Sequence, residues 1–328
     1  MTDDRYNRQS LIPDWDQSKI INAKVVILGV GAIGSYVAAN LAMIGIGELV
    51  LVDFDTIELS NLNRQLLFTE MDIKKNKAET AKIRLQAFNS SIEITAFPYD
   101  MHKLSKADLE GTTLIASCLD TFRGRRWANS LAIRENVPMI TGGIYAFLGN
   151  VQTIIPYQTP CFECQPLISQ EKLAQACTPL GDARNKIVLE KPLGPMPAVA
   201  TMSAIIAGLM TQEIVKLILD IGKSLENYLF YDGLVNSFTS IQLNRNDKCP
   251  ICSDQYKLET IPTVVFENEN FENLKLRIAT VFGLADPQLI HRGKILSAKL
   301  PTWEIGDKIY ATDERLAKPI ILQISSID

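Results

Sequence analysis

Histidine occurs only twice in the 328 residues, which excludes a histidine-built metal site and leaves no evident arrangement for hydride chemistry. An excess of basic side chains is missing as well. Lys and Arg number 33 against 37 Asp and Glu, a formal net charge of −4, so electrostatic capture of nucleic acid is not expected. The polar opening MTDDRYNRQS has no apolar core of the signal-peptide kind. Internal repeats and low-complexity tracts are absent. Two uncharged runs reach membrane-spanning length. Asn136 to Phe162 is broken by prolines, glycines and polar residues and reads as buried strands and turns. Pro192 to Gln212 carries three prolines near its start, and its second half reads as a buried helix opened by Pro197. No membrane span is expected, and a cytoplasmic location with reduced thiols follows.

What is present is an apolar fraction of 47%, enough for one large domain and one small one. Lys24–Leu28 is a short aliphatic strand, Gly29–Gly34 a glycine turn, Ser35–Ile44 a helix and Glu48–Val52 a second strand, together one βαβ unit. Further rounds follow: a helix near Lys77–Phe88, strands Ile92–Ala96 and Leu114–Ser117, a helix Arg125–Glu135 and a strand Val137–Thr141. This alternation predicts an α/β fold with a Rossmann-like, mostly parallel sheet and helices on both faces. A Pro- and Gly-broken stretch, a long apolar helix to about Leu219 and a strand near Tyr228–Asp232 complete a first domain over 1–255. A polar linker then leads to a compact unit, 262–328, with a strand TVVF, a helix FENLKLRIATVFG, a strand QLIHRG and further strands near the end including IILQIS.

The turn GVGAIG follows a strand and opens a helix, so its glycines (Gly29, Gly31, Gly34) let a phosphate approach backbone N–H groups at the positive end of a helix dipole. Asp53, nineteen residues past Gly34, is placed to accept from ribose hydroxyls. These features alone fit NAD, FAD or ATP. The turn lacks the GK[ST] ending of a Walker loop. A second cluster, VDFDTIELSNLNRQ, separates the options with Asp55, Asn61, Arg64 and Gln65. A nicotinamide enzyme leaves its pyrophosphate intact, whereas an adenylating enzyme must stabilise charge on a departing pyrophosphate. Arg64 and Lys77 supply the cations for that, and Asp120, just past a strand, is placed to hold Mg²⁺.

RYNRQ (Arg5–Gln9), GVGAIG, DFDTIELSNLNRQ, NKAETAK at Lys77 and CLDTFRGRRWAN together resemble the ubiquitin-activating enzyme superfamily over roughly residues 5–252. That superfamily includes the sulfur-carrier adenylyltransferases of molybdopterin and thiamine synthesis. The resemblance implies that Asp53, Asn61, Arg64, Lys77 and Asp120 bind MgATP, with Arg8 reaching in from a partner subunit of a homodimer. Arg125 and Asn129 match family positions and are expected only to give nearby support. The implied reaction is adenylation of the C-terminal glycine of a small β-grasp, ubiquitin-like protein.

Four of the six cysteines form two CxxC knuckles, Cys161/Cys164 and Cys249/Cys252, with 84 residues between them. Four thiolates suit tetrahedral Zn²⁺, the alternatives being a redox pair or disulfides. Cys118, in LIASC, reads as a buried strand residue. Cys177 lies in QACTPLGDARNK beside Arg184 and Lys186, which favour its thiolate. The family resemblance makes it a nucleophile that takes the acyl group as a thioester. The tail after the second knuckle resembles, in pattern more than identity, the ubiquitin-fold (β-grasp-like) domain that recruits a conjugating enzyme. The expected function is therefore activation of a ubiquitin-like protein, with thioester transfer through Cys177. The alternative is a sulfur-carrier adenylyltransferase without that thioester, and a nucleotide-binding scaffold without catalysis stands behind both.

Overall fold

The computed structural model describes residues 4–164 and 196–328, apart from 226–227, 248, 250, 255–259, 267–268, 283, 285, 298–299 and 314–315. Cys177 lies outside the described residues.

Two short helices, α1 (Asn7–Ser10) and α2 (Gln17–Ile21), precede the first strand. The sheet is then laid down by β1 (Lys24–Leu28), β2 (Glu48–Val52), β3 (Glu93–Phe97), β4 (Leu114–Ser117) and β5 (Met139–Tyr145), all parallel. β6 (Leu148–Ile154), β7 (Tyr228–Asp232) and β8 (Ser237–Ile241) extend it antiparallel, giving eight strands in the order β3-β2-β1-β4-β5-β6-β7-β8. The connecting helices are α3 (Ala32–Ile44), α4 (Lys77–Phe88), α5 (Phe122–Glu135) and α6 (Ala200–Leu219).

The aliphatic runs form strands buried on both faces, as parallel sheets require. In β1, Val25 and Ile27 join the core beneath α3 and α6, whereas Val26 and Leu28 join the core beneath α5. The run ending at Leu219 is one helix of 20 residues, the single described helix long and apolar enough to cross a membrane. Its residues Ile206, Met210 and Ile214 are fully covered by the fold, so it is packed as a core helix.

Element boundaries differ from the sequence reading where capping decides them. α3 starts at Ala32 instead of Ser35, with Gly31 in the cap position, and Gly45 at φ 88° stops it. α5 starts at Phe122 instead of Arg125, because the Thr121 hydroxyl accepts from the Gly124 N–H at 3.1 Å. β5 runs on through Gly142 and Gly143, where turn residues were expected to end it. A Cβ on Gly142 would lie 2.4 Å from the Met210 sulfur, and one on Gly143 would lie 2.5 Å from the Arg125 guanidinium. These glycines serve close packing of helices on both sides of the strand.

The C-terminal part is a second sheet, in the order β11-β10-β12-β13-β9. It is formed by β9 (Ile261–Val265), β10 (Gln288–His291), β11 (Lys294–Ile295), β12 (Lys308–Thr312) and β13 (Ile320–Ile327), with α7 (Phe271–Phe282) between the first two. The first and last strands are parallel neighbours. Leu274, Ile278 and Phe282, four residues apart along α7, are buried against the sheet. This unit meets the first domain at the far end of α5, where the Ala317 N–H donates to the Ser130 hydroxyl at 3.2 Å and Lys318 pairs with Glu135.

Candidate active site

β1 has β2 on one side and β4 on the other, so the chain departs in opposite directions from adjacent strand ends. Ligands of open α/β sheets bind in the crevice at such a switch point. A cleft of about 1010 Å³ lies there. The glycine turn after β1 forms one wall. Gly29 adopts φ +88°, and a Cβ on it would meet the Cys118 carbonyl at 3.1 Å. Gly34 does not line the cleft but packs the helix onto the turn, since a Cβ there would sit 1.9 Å from the Gly29 oxygen. Gly31 faces the cleft with only the Gln65 amide within reach, at 3.7 Å. Gly34→Ala is therefore expected to force α3 off the turn, lowering stability by about 2 to 4 kcal/mol. A denaturant melt beside a nucleotide-binding titration checks both effects.

Asp53 follows β2 and grips this turn. One carboxylate oxygen accepts from the Val30 N–H at 2.7 Å and the other from the Asp55 N–H at 2.9 Å. Burial raises its pKa above the ordinary carboxylate value, with the nearby Lys77 ammonium and these N–H bonds pulling the other way. Each oxygen keeps a free acceptor position for a ribose hydroxyl.

The other predicted residues converge on the same cleft. Lys77, at the first turn of α4, has a largely buried side chain whose ammonium lies 2.8 Å from the Asp55 carboxylate. Asn76 caps that helix by accepting from the Glu79 N–H, while its amide donates to the Asp53 and Asp55 carbonyls. Asn61 is buried, and its side-chain oxygen accepts from the Glu58 N–H in a reciprocal cap. Arg64 is half-buried at the rim, held by the Ser60 carbonyl at 2.7 Å and the Asn63 amide oxygen at 3.0 Å. The Gln65 amide oxygen is buried with no hydrogen-bond partner. Asp120 follows β4 and is exposed to the cleft. Arg125 is buried, donating to the Leu119 carbonyl at 2.7 Å. Arg8 is exposed on α1 and is not among the residues lining its own chain's cleft. Cys118 lines the floor, and burial pushes its thiol up to about 12, so it is no nucleophile at neutral pH.

Sequence reasoning missed one wall. Tyr99, Asp100, Met101 and His102, in the segment after β3, also line the cleft, and the His102 ring packs at a tilt against Trp127 of α5, with centroids 4.7 Å apart. Their position just past a strand's carboxyl end was the available signal.

The two knuckles meet under α5. Cys161, Cys164, Cys249 and Cys252 are buried, with all four sulfurs within 4.8 Å of one another. Adjacent sulfurs stand 3.3, 3.6 and 3.9 Å apart. Tetrahedral Zn²⁺ with bonds of about 2.3 Å needs roughly 3.8 Å. The Glu163 and Ile251 N–H groups donate to the Cys161 and Cys249 sulfurs, a matched pair of bonds that favours thiolates. Burial alone would keep Cys161 protonated, so the donor set calls for a cation. The residues fit zinc.

A family model described as the ThiF family matches residues 5–251. The chain belongs to the ThiF family. It is accordingly an adenylating enzyme of the E1-like type, with an ATP-binding Rossmann-like domain. Among relatives of this ThiF chain, the sulfur carrier protein adenylyltransferase of Thermus thermophilus is 32% identical, over 77% of this chain and 91% of that protein. The NEDD8-activating enzyme E1 catalytic subunit of Caenorhabditis elegans is 26% identical, over 93% of this chain and 90% of that one. Among solved structures, E. coli MccB with ATP superposes with a TM-score of 0.62 at 29% identity, covering 77% of this chain and 75% of that chain.

Proposed function

We propose that this ThiF-family chain adenylates the C-terminal carboxylate of a small sulfur-carrier protein. The observation that carries this reading is the convergence of Asp53, Arg64, Lys77 and Asp120 around one cleft at the glycine turn. The family adenylates, and sulfur-carrier adenylyltransferases stand among its well-covered relatives. In the reaction a carboxylate oxygen of the carrier attacks the α-phosphorus of ATP. A new P–O bond forms, the α–β P–O bond breaks, and pyrophosphate leaves with the electron pair. Gly29 and Gly31 admit the phosphates to the turn, and Asp53 orients the ribose. Arg64 and Lys77 balance the charge that grows on pyrophosphate, joined by Arg8 of a second copy in a homodimer. Asp120 would hold Mg²⁺, which supplies further charge neutralisation there. Asn61 and Gln65 complete the polar wall. The four cysteines would hold Zn²⁺ as a structural clamp, remote from the chemistry. We place the protein in the cytoplasm, without nucleic-acid or membrane partners.

The test is incubation with candidate carriers ending in Gly-Gly, MgATP and labelled pyrophosphate. Carrier-stimulated exchange is the expected result, and its absence with every carrier would leave only a nucleotide-binding scaffold. Mass spectrometry of the carrier then separates the two branches, because a gain of sulfur marks the sulfur-carrier route.

A second reading is favoured by the unit at 262–328. Alignment to the NEDD8-activating subunit extends over 93% of this chain, whereas the Thermus relative covers 77%. In this reading the adenylated carrier is a ubiquitin-like protein. Its acyl group passes to the Cys177 sulfur with release of AMP, and the ubiquitin-fold-like unit presents the thioester to a conjugating enzyme. A reducible carrier adduct on a non-reducing gel, lost in Cys177→Ala with exchange retained, is its expected signature.

A further inference from the structure

We propose that Arg126 and Glu163 are positioning residues that couple the four-cysteine centre to the nucleotide cleft through α5. The proposal rests on the reading of that cleft as an MgATP site. Glu163 sits between the two cysteines of the first knuckle, and its backbone N–H donates to the Cys161 sulfur at 3.4 Å. Its carboxylate takes the Arg126 guanidinium in a two-point pair, Nη2 to Oε2 at 2.9 Å and Nε to Oε1. Both side chains are almost covered, at 11% and 5% exposure, so water cannot substitute for either partner. One turn further along α5, the Asn129 side-chain oxygen accepts from the N–H of Phe162, the neighbouring knuckle residue, at 3.1 Å. Two successive residues of the knuckle therefore hold two successive turns of one helix.

That helix begins at the cleft. Thr121 caps it, Asp120 immediately precedes it, and Arg125, next to Arg126 in the chain, lines the cleft. A rotation or slide of α5 moves Asp120 and Arg125 directly. The knuckle has a fixed position only when its sulfurs are gathered with Cys249 and Cys252, which come from the far end of the domain. The path from the four sulfurs to the cleft is thus made of linked groups: a sulfur, a backbone amide, a carboxylate, a guanidinium and one helical turn. Neither residue lines the cleft, and neither belongs to the four-cysteine cluster. An Arg elsewhere on α5 paired to solvent would give the helix no such reference point.

Binding couplings are reciprocal, so the test can be made from both ends. The full-length zinc-loaded protein is used, with MgATP affinity read by calorimetry and zinc affinity by equilibrium competition with a colorimetric chelator. In the unaltered protein MgATP should raise zinc affinity about fivefold or more, the lower range of measured couplings. The double variant R126L/E163L removes both buried charges together, because removing one would strand the other. It should retain one zinc per chain, bind MgATP about fivefold more weakly, and show the same zinc affinity with and without nucleotide. Glu163→Gln, which keeps one acceptor for Arg126, should fall between the two. Equal zinc affinities with and without MgATP in the unaltered protein would overturn the coupling, as would a zinc-loaded double variant with unchanged MgATP affinity. If the double variant does not fold, Glu163→Gln decides, and an unaltered MgATP effect on its zinc affinity overturns the proposal. Failure of the unaltered protein to bind MgATP at all would instead remove the nucleotide reading itself.

Discussion

Asp120→Ala is expected to cut carrier-stimulated ATP–pyrophosphate exchange by about 10²- to 10³-fold while leaving the melting temperature almost unchanged. The asymmetry follows from where the side chain sits. Asp120 lies between the end of β4 and the Thr121 cap of α5, exposed to the cleft. Its carboxylate caps no helix, since the capping bond to Gly124 comes from Thr121. Losing it therefore removes no internal contact of consequence, and exposed substitutions of that kind stay within about 0.5 kcal/mol. For the reaction the same carboxylate has the larger role. It lines the same cleft as Lys77 and Arg64, where Mg²⁺ is proposed to bind. Removing one preorganised group that stabilises developing charge in a secluded site costs about 3 to 4 kcal/mol in the transition state. The measurement is exchange rate against thermal melting on the same preparation. More than a tenth of the original rate in a folded Asp120→Ala protein would remove the residue from the mechanism.

The second large effect concerns the cysteines. Cys249→Ala should abolish metal binding and lower the melting temperature by at least about 10 °C, as would exhaustive chelation of the unaltered protein. The four sulfurs are packed within 4.8 Å of one another in a core that also contains Ile251 and Trp127. Without a cation, buried thiols have to protonate, and the matched N–H bonds from Glu163 and Ile251 lose the charge that makes them strong. The polypeptide is then held there by packing alone, where a metal had tied the segment after β6 to the segment after β8. Metal analysis and calorimetric melting in parallel check this. A metal-free protein that melts within 2 to 3 °C of the loaded one would deny the centre a structural role; that window corresponds to about 1 kcal/mol in a domain of this size.

The sequence carried the first half of the fold in a form that physical rules can decode. β1, β2 and β4 are mostly aliphatic runs because both faces of the sheet are covered, and the glycine turn announces itself by position between a strand and a helix. The site was legible for a related reason. Asp53 and Asp120 follow strand ends, Lys77 opens a helix, Asn61 and Arg64 lie in the segment between β2 and α4, and the structure brings them to one crevice. The CxxC pairs were legible by spacing, although only the fold could bring Cys161 to within 3.6 Å of Cys249.

What escaped was long-range or two-sided. β5 continues through Gly142–Gly143 because Met210 and Arg125 need the space, and both partners are remote in sequence. β8 was not foreseen because four of its five residues are exposed, so no burial pattern marks it. The Arg126–Glu163 pair looks in sequence like two unrelated surface charges, and only the packing of the knuckle on α5 makes them partners. The wall formed by Tyr99 to His102 carries no motif at all.

The spacing of the metal ligands also has a consequence during synthesis. Cys161 and Cys249 are separated by 88 positions, and β7, β8 and α6 are all made between them. A ribosome working at about 5 to 20 residues per second leaves the first pair of thiols waiting roughly 4 to 18 seconds for the second. Through that interval the nascent chain offers a bidentate, half-built chelate with α5 not yet anchored. The order of translation therefore makes metal capture a late event, one that closes the domain after most of its sheet has been produced.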